Sequence, residues 1–229
     1  MKKFLVIPAV ALTALALSGC AALLASIATT PSFVVPDNNV YNGQTVRLAK
    51  SGTCNYKWET SDPTHLPLVE MDGSAYITGH LDKNKYGQYE SQRVATVKAY
   101  NADDDTIKPE EREVYIYSWN LAVYDNTDKR VEDPLNLARN TEYTVKMVRI
   151  GGSVSSPVYT PITRLYRSMK VGSEEYESLA FTLSSSALTK VGQTELAYTF
   201  KTPNKAVSSP VTINAKLNDV TMSLKLAVK

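Results

Sequence analysis

Residues 211–228 read VTINAKLNDVTMSLKLAV, and their alternation decides the fold. Val211, Ile213, Ala215 and Leu217 alternate with Thr212, Asn214 and Lys216. Val220, Met222, Leu224, Leu226 and Val228 then alternate with Thr221, Ser223, Lys225 and Ala227. Successive side chains of an extended strand point to opposite faces, so each run presents one mainly apolar face. Asn218-Asp219 separates the runs, and both residue types tolerate turn geometry. The stretch therefore reads as a β-hairpin with one face turned to a core.

The same period-two signal recurs along the chain. Leu196 to Phe200 reads as a strand, and Tyr143, Val145 and Met147 mark another within TEYTVKMVRI. In the first half QTVRLA, NYKWET, AYITGH, RVATVKAY and REVYIYSW are all strand-like. Turn-rich stretches separate them: DNNVYNG, SGTC, TSDPTHLP, DKNKYG and NADDDTIKPEE. Long segments with a helical period are missing. Fourteen Tyr accompany abundant Thr, Val and Ser, a composition that favours strands. Many short strands at roughly even spacing point to an all-β chain built as β-sandwiches. A boundary near Trp119 divides it into 33–118 and 119–229, each close to the ~100 residues of one sandwich domain. The stretch EVYIYSWNLAVYD reads as nearly continuous strand across that boundary. One larger sandwich is the alternative.

The first residues carry a different message. Lys2 and Lys3 precede an uncharged apolar run from Phe4 to Leu17, followed by small residues, as in a secretory signal. Leu17-Ser18-Gly19-Cys20 resembles the lipobox of bacterial lipoproteins. That resemblance implies diacylglycerol on the Cys20 sulfur, cleavage after residue 19, and an acyl chain such as palmitate on the new amino group. Residues 20–32 would then be the lipidated N-terminus and its tether. Ala21, where enteric-type lipoproteins kept in the inner membrane tend to have Asp, implies the outer membrane of the cell envelope. The competing reading is an uncleaved signal anchor, since residues 4–28 carry no charge. Both place the remaining chain outside the cytoplasm.

Cleavage would remove two lysines, so 25 Lys+Arg fall to 23 against 23 Asp+Glu. A surface that tracks phosphates needs a basic excess, so this balance counts against nucleic acid as a partner. With Cys20 lipidated, Cys54 is left alone and no intramolecular disulfide can form.

A second resemblance covers about 75 residues of the first half. NGQTVRLA, YKWETSDP, VEMDGSAYITG and VATVKAYNAD resemble the pieces of a group-two bacterial immunoglobulin-like domain. The matching positions are Gly43, Thr45 and Leu48; Trp58, Ser61 and Asp62; Ile77, Thr78 and Gly79; and Ala95, Thr96, Val97 and Ala99. The resemblance implies an immunoglobulin-like sandwich in which Trp58 packs between the sheets and Asp62-Pro63 shapes a turn. Residues 80–92 depart from it, as a longer polar insertion. The second half is immunoglobulin-like by pattern alone.

Chemistry is sparse. His65, in a Pro-flanked loop, and His80, just past a strand, are expected to be exposed. No G-x-S-x-G, H-E-x-x-H or phosphate loop occurs. Cys54 reads as a small buried hydrophobe. Asp103-Asp104-Asp105 with Glu110 and Glu111 is the sharpest charge cluster and reads as a solvated acidic loop, with a Ca²⁺ site as the alternative. These features give no catalytic or metal residue and no cofactor. They point to a membrane-anchored binding, adhesion or bracing module with a protein or glycan partner in the envelope. The alternative is a lipoprotein enzyme or carbohydrate-binding module whose site sequence does not reveal.

Overall fold

The computed structural model describes residues 30–132, 135–153, 156–170 and 173–229. Cys20, the lipobox and residues 4–28 lie outside them. The described chain is all-β, apart from a 3-10 turn at Pro36–Asn38. Among the described residues no helix is long and apolar enough to cross a membrane.

The 211–228 hairpin forms as its alternation requires. Val211–Leu217 pairs antiparallel with Val220–Val228, Leu217 opposite Val220, which leaves Asn218 and Asp219 as the connection. Asn218 takes a left-handed φ of 51°, a conformation Asn tolerates better than most residues. Val211, Ile213, Ala215 and Leu217 are buried, while the residues between them are not. A one-residue slip would turn all four outward, so burial fixes the register.

Among the described residues two large apolar cores result, beside a small cluster of Ala122, Tyr124 and Val148. The first takes Val40, Val46, Trp58, Ile77, Ala95, Val97, Ala99, Val114 and Ile116 from two sheets. One sheet runs Asn39–Tyr41, Glu110–Tyr117, Gln92–Asn101, Tyr56–Thr60 in spatial order. The other runs Leu68–Met71, Ser74–Thr78, Thr45–Arg47, Tyr166–Lys170, Ser173–Tyr176. The second core gathers Trp119, Leu121, Val123, Val145, Met147, Tyr198, Phe200, Ile213, Ala215 and Leu226, again from two sheets. Each core is thus a β-sandwich: apolar faces of two sheets turned toward each other.

Two features differ from the sequence reading. The EVYIYSWNLAVYD stretch is not one strand. Glu110–Tyr117 belongs to a sheet of the first core and Asn120–Asp125 to a sheet of the second, with Ser118 and Trp119 between them. Trp119 breaks the run because its ring turns into the second core, where it is fully buried. In addition, the hairpin of Tyr166–Lys170 and Ser173–Tyr176 leaves the second half to extend a sheet of the first, with Ser168 parallel to Arg47.

Candidate functional site

The two halves meet on the turn Asn42-Gly43-Gln44. Within the first half, Asn42 N–H donates to the Tyr117 carbonyl at 2.9 Å and Gly43 N–H to the Gly79 carbonyl at 2.7 Å. Three bonds then cross to the second half. Trp119 Nε1 donates to the Asn42 carbonyl at 2.9 Å. Asn218 Nδ2 donates to the Gly43 carbonyl at 2.6 Å, and Gln44 Nε2 to the Tyr166 carbonyl at 2.8 Å. Gly43 has φ of +86°, and a Cβ there would lie 2.7 Å from the Leu217 carbonyl and 2.8 Å from Val220 Cγ2. Only glycine meets both demands, the backbone conformation and the close approach of the 217–220 turn.

The polar insertion 80–92 is folded back and tied down. Its tip is turned by Asn84, whose N–H donates to the Gln88 carbonyl and whose carbonyl accepts from Gly87 N–H. At its base Leu81 is buried, and its N–H donates to Asn42 Oδ1 at 3.0 Å. Tyr89 packs against both cores.

Here the expectation for His65 is corrected. It is not an exposed loop residue: its side chain is 13% exposed and is held on both sides. Nδ1 lies 2.9 Å from both Asp62 carboxylate oxygens, and Nε2 lies 3.0 Å from Asp82 Oδ2. Arg93 closes the cluster, with Nε 2.7 Å from Glu90 Oε1 and its Nη atoms 3.6 Å from Asp62 and 3.4 Å from Asp82. An ionised carboxylate only accepts hydrogen bonds, and a neutral imidazole has one N–H. Two flanking carboxylates therefore call for the imidazolium. The hydrogen bond to Asp62 raises the His65 pKa above its ordinary value, against the effect of burial. Burial works to raise the Asp62 carboxyl, but the His65 bonds and the Arg93 charge outweigh it and hold the group low. His65, Asp82 and Glu90 place ligand atoms within 4.8 Å of one another. In this arrangement Arg93 engages the Glu90 and Asp82 carboxylates, and His65 Nε2 engages Asp82 as well.

The cluster works as a clamp between the 62–65 loop and the insertion, and it has a pH signature. A histidine with a raised folded pKa contributes stability below its unfolded pKa, near 6.5, and loses it as pH rises through the folded value. Asp62, with a lowered pKa, contributes above its unfolded value and loses it as pH falls through the folded one. Wild type should therefore lose stability relative to His65→Gln as pH rises from 6 to 9. Paired urea titrations at those two pH values check this; equal differences at both would mean that His65 is not charged in the fold.

The other sequence candidates do not gather. His80 is half-buried and not exposed as expected, its backbone N–H donating to the His65 carbonyl at 2.7 Å just past the Ser74–Thr78 strand. Cys54 is half-buried rather than buried, because it sits in a loop before Tyr56–Thr60 and not in a strand of the core. Asp103 accepts from Asn55 Nδ2 at 3.0 Å, and Asp104 accepts from Thr106 Oγ1 at 2.6 Å. Glu110 pairs with Arg112 and Glu111 with Lys98. Asp103, Asp104 and Asp105 are exposed in the turn, while Glu110 and Glu111 begin the strand Glu110–Tyr117. Asp62 was legible only as a turn former, and Asp82, Glu90 and Arg93 carried no motif; the folded-back insertion brings them together.

Beside the junction lies a polar cleft of about 490 Å³, lined from both halves by Asp37, Asn39, Tyr41, Arg149, Arg164 and Tyr166 among others. No family model matches this chain, and no curated protein does. Among solved structures it is similar to a chimeric titin Z1Z2 tandem carrying an exogenous decorin peptide, at 14% identity over 88% of this chain and 98% of that one, TM-score 0.29. It is also similar to human protocadherin-24 EC1-2, at 11% identity over 87% and 97%, TM-score 0.29. A third is the D00-D0 domain of intimin, at 10% identity over 86% and 99%, TM-score 0.28. Likeness at this level says nothing of what the chain binds.

Proposed function

We propose that the chain is a cell-envelope lipoprotein, cut before Cys20 and held at a membrane by lipid on that cysteine, whose two sandwiches act by binding and not by turnover. The observation that supports a presenting role most directly is the junction. The 42–44 turn is bonded to Trp119, Tyr166 and Asn218, and Gly43 lies against the 217–220 turn too closely for any side chain. Contacts of this kind between two cores suit an arm that holds a surface at a distance from its anchor. The anchor would be lipid, where one chain binds marginally and two or more bind stably at about 0.8 kcal/mol per buried methylene. Ala21 favours the outer membrane. The partner is a protein or glycan of the envelope, and the polar cleft favours a glycan.

Replacing Cys20 with Ser should leave an unprocessed precursor that carries no lipid. Wild type should partition with membranes and begin at a diacylglyceryl-modified Cys20. Mass spectrometry of the N-terminus reads both forms. Normal maturation of Cys20→Ser would refute the anchor, and an envelope crosslinking profile with no reproducible partner would refute the binding role.

A further inference from the structure

The cleft beside the junction is built from both halves. Asp37, Asn39 and Tyr41 come from the first, and Arg149, Arg164 and Tyr166 from the second. Its volume of about 490 Å³ is within the range of small-ligand sites, which favour domain interfaces.

Among the described residues four of the eight arginines pair with carboxylates, and the two in the cleft do not. Arg93, Arg112, Arg130 and Arg167 each pair with a carboxylate. Among the described residues, neither Arg149 nor Arg164 has a carboxylate oxygen within ion-pair distance. Both are instead placed by tyrosines. Arg149 Cζ lies 4.7 Å from the Tyr117 ring centroid. Arg164 Cζ lies 6.0 Å from the Tyr176 ring centroid, and its pKa is raised by Tyr166 and Tyr176 and, more weakly, by the Glu174 charge. Tyrosine faces orient a guanidinium without neutralising it, so its forked donors remain for an incoming anion.

The remaining lining selects among anions. Asp37 would repel a compact, highly charged phosphate yet accepts hydrogen bonds from hydroxyls. Asn39 both donates and accepts. Tyr41 and Tyr166 supply ring faces and hydroxyls, and burial raises the Tyr41 pKa, so its hydroxyl stays a neutral donor. Two cations without an ion pair, one carboxylate, an amide and two phenols match a ligand with a single carboxylate among many hydroxyls.

We propose that this cleft binds a carboxylate-bearing glycan, the acid group on Arg149 and Arg164 and the sugar hydroxyls on Asp37 and Asn39. This rests on the binding reading above and names the ligand class.

The test uses the full-length chain in detergent and two probes: a tetrasaccharide containing glucuronic acid, and the same tetrasaccharide with its carboxylates reduced to alcohols. Calorimetric titration should give a Kd below ~1 mM for the acidic probe and at least roughly tenfold weaker binding for the neutral one. Arg149→Gln and Arg164→Gln should each weaken the acidic probe by about tenfold, as expected for losing a charge-assisted hydrogen bond. Arg164 is exposed, so its variant should keep the wild-type melting temperature. Tyr41→Phe supplies a second variant that removes only a hydroxyl, and it too should weaken binding. Equal affinity for both probes, no binding of the acidic one, or indifference to both arginine substitutions would overturn the proposal. If oligosaccharide binding fails while the chain still crosslinks to a defined envelope partner, the cleft assignment is wrong and the binding role stands. If both fail, the binding role falls with it.

Discussion

Trp58→Ala should destabilise the first sandwich by about 3–5 kcal/mol, the usual cost of emptying a large buried aromatic site. Trp58 is 7% exposed on Tyr56–Thr60. Its ring meets Phe33 edge-on, with centroids 5.0 Å apart, and stacks on Tyr56 at 5.3 Å. Phe33 lies on a short strand paired with Ala49–Lys50, so the loss would reach that edge as well. Trp58→Phe should behave very differently. The indole N–H of Trp58 is buried with no hydrogen-bond partner among the described residues, a state that itself costs roughly 1–3 kcal/mol. Phenylalanine removes that burden along with part of the ring, so its net cost should stay under ~1.5 kcal/mol. The chain has two tryptophans, so either Trp58 variant leaves Trp119 as the only indole reporter, and it lies in the second core. Trp119 fluorescence and far-ultraviolet dichroism should therefore part company on heating Trp58→Ala, the dichroism falling first. A Trp58→Ala protein that melts in one transition at the wild-type temperature would show that Trp58 does not hold the first core together.

The sequence was legible wherever one face of a strand is buried. Val211 to Leu217 and Ala95 to Ala99 could be read because burial imposes alternation on them. Leu68–Met71, Ser156–Pro161 and Ser173–Tyr176 could not. Val69, Met71 and Val158 are exposed, only Leu68 of the first of these strands packs against a core, and Pro157 and Pro161 read as breakers. The hairpin that crosses to the first half was invisible for a related reason. Its attachment is a backbone matter, one parallel pair at Ser168 and Arg47, which leaves no side-chain signature. Gly43 could be placed within a motif but not explained, since what crowds it lies at Leu217 and Val220. The clamp on His65 was missed because only Asp62 is near it in sequence. Asp82, Glu90 and Arg93 arrive when the insertion folds back, and no spacing rule anticipates that.

Trp119→Ala should act on both halves at once. The ring is 2% exposed and belongs to the second core, while its N–H donates across the junction to the Asn42 carbonyl. Truncation removes the packing, about 3–5 kcal/mol, and also strands a buried carbonyl. The Asn42 side-chain Nδ2 is also buried with no hydrogen-bond partner among the described residues. Trp119→Phe separates the two contributions. It keeps most of the ring, loses the cross-junction bond, and should cost about 1–3 kcal/mol, the penalty of one unsatisfied buried polar group. The two variants also make a prediction about coupling. Asn218→Ala removes the Asn218 Nδ2 bond to the neighbouring Gly43 carbonyl, so its effect and that of Trp119→Phe should not add. If the junction is one cooperative unit, the double variant should cost less than the two singles together, because once one bond is lost the 42–44 turn can already separate from the 217–220 turn. Urea denaturation of the four proteins, read by Trp58 fluorescence in the two that lack Trp119, supplies the cycle. Strict additivity would mean that the halves are tethered by independent contacts, and the picture of a single stiff arm would have to be abandoned.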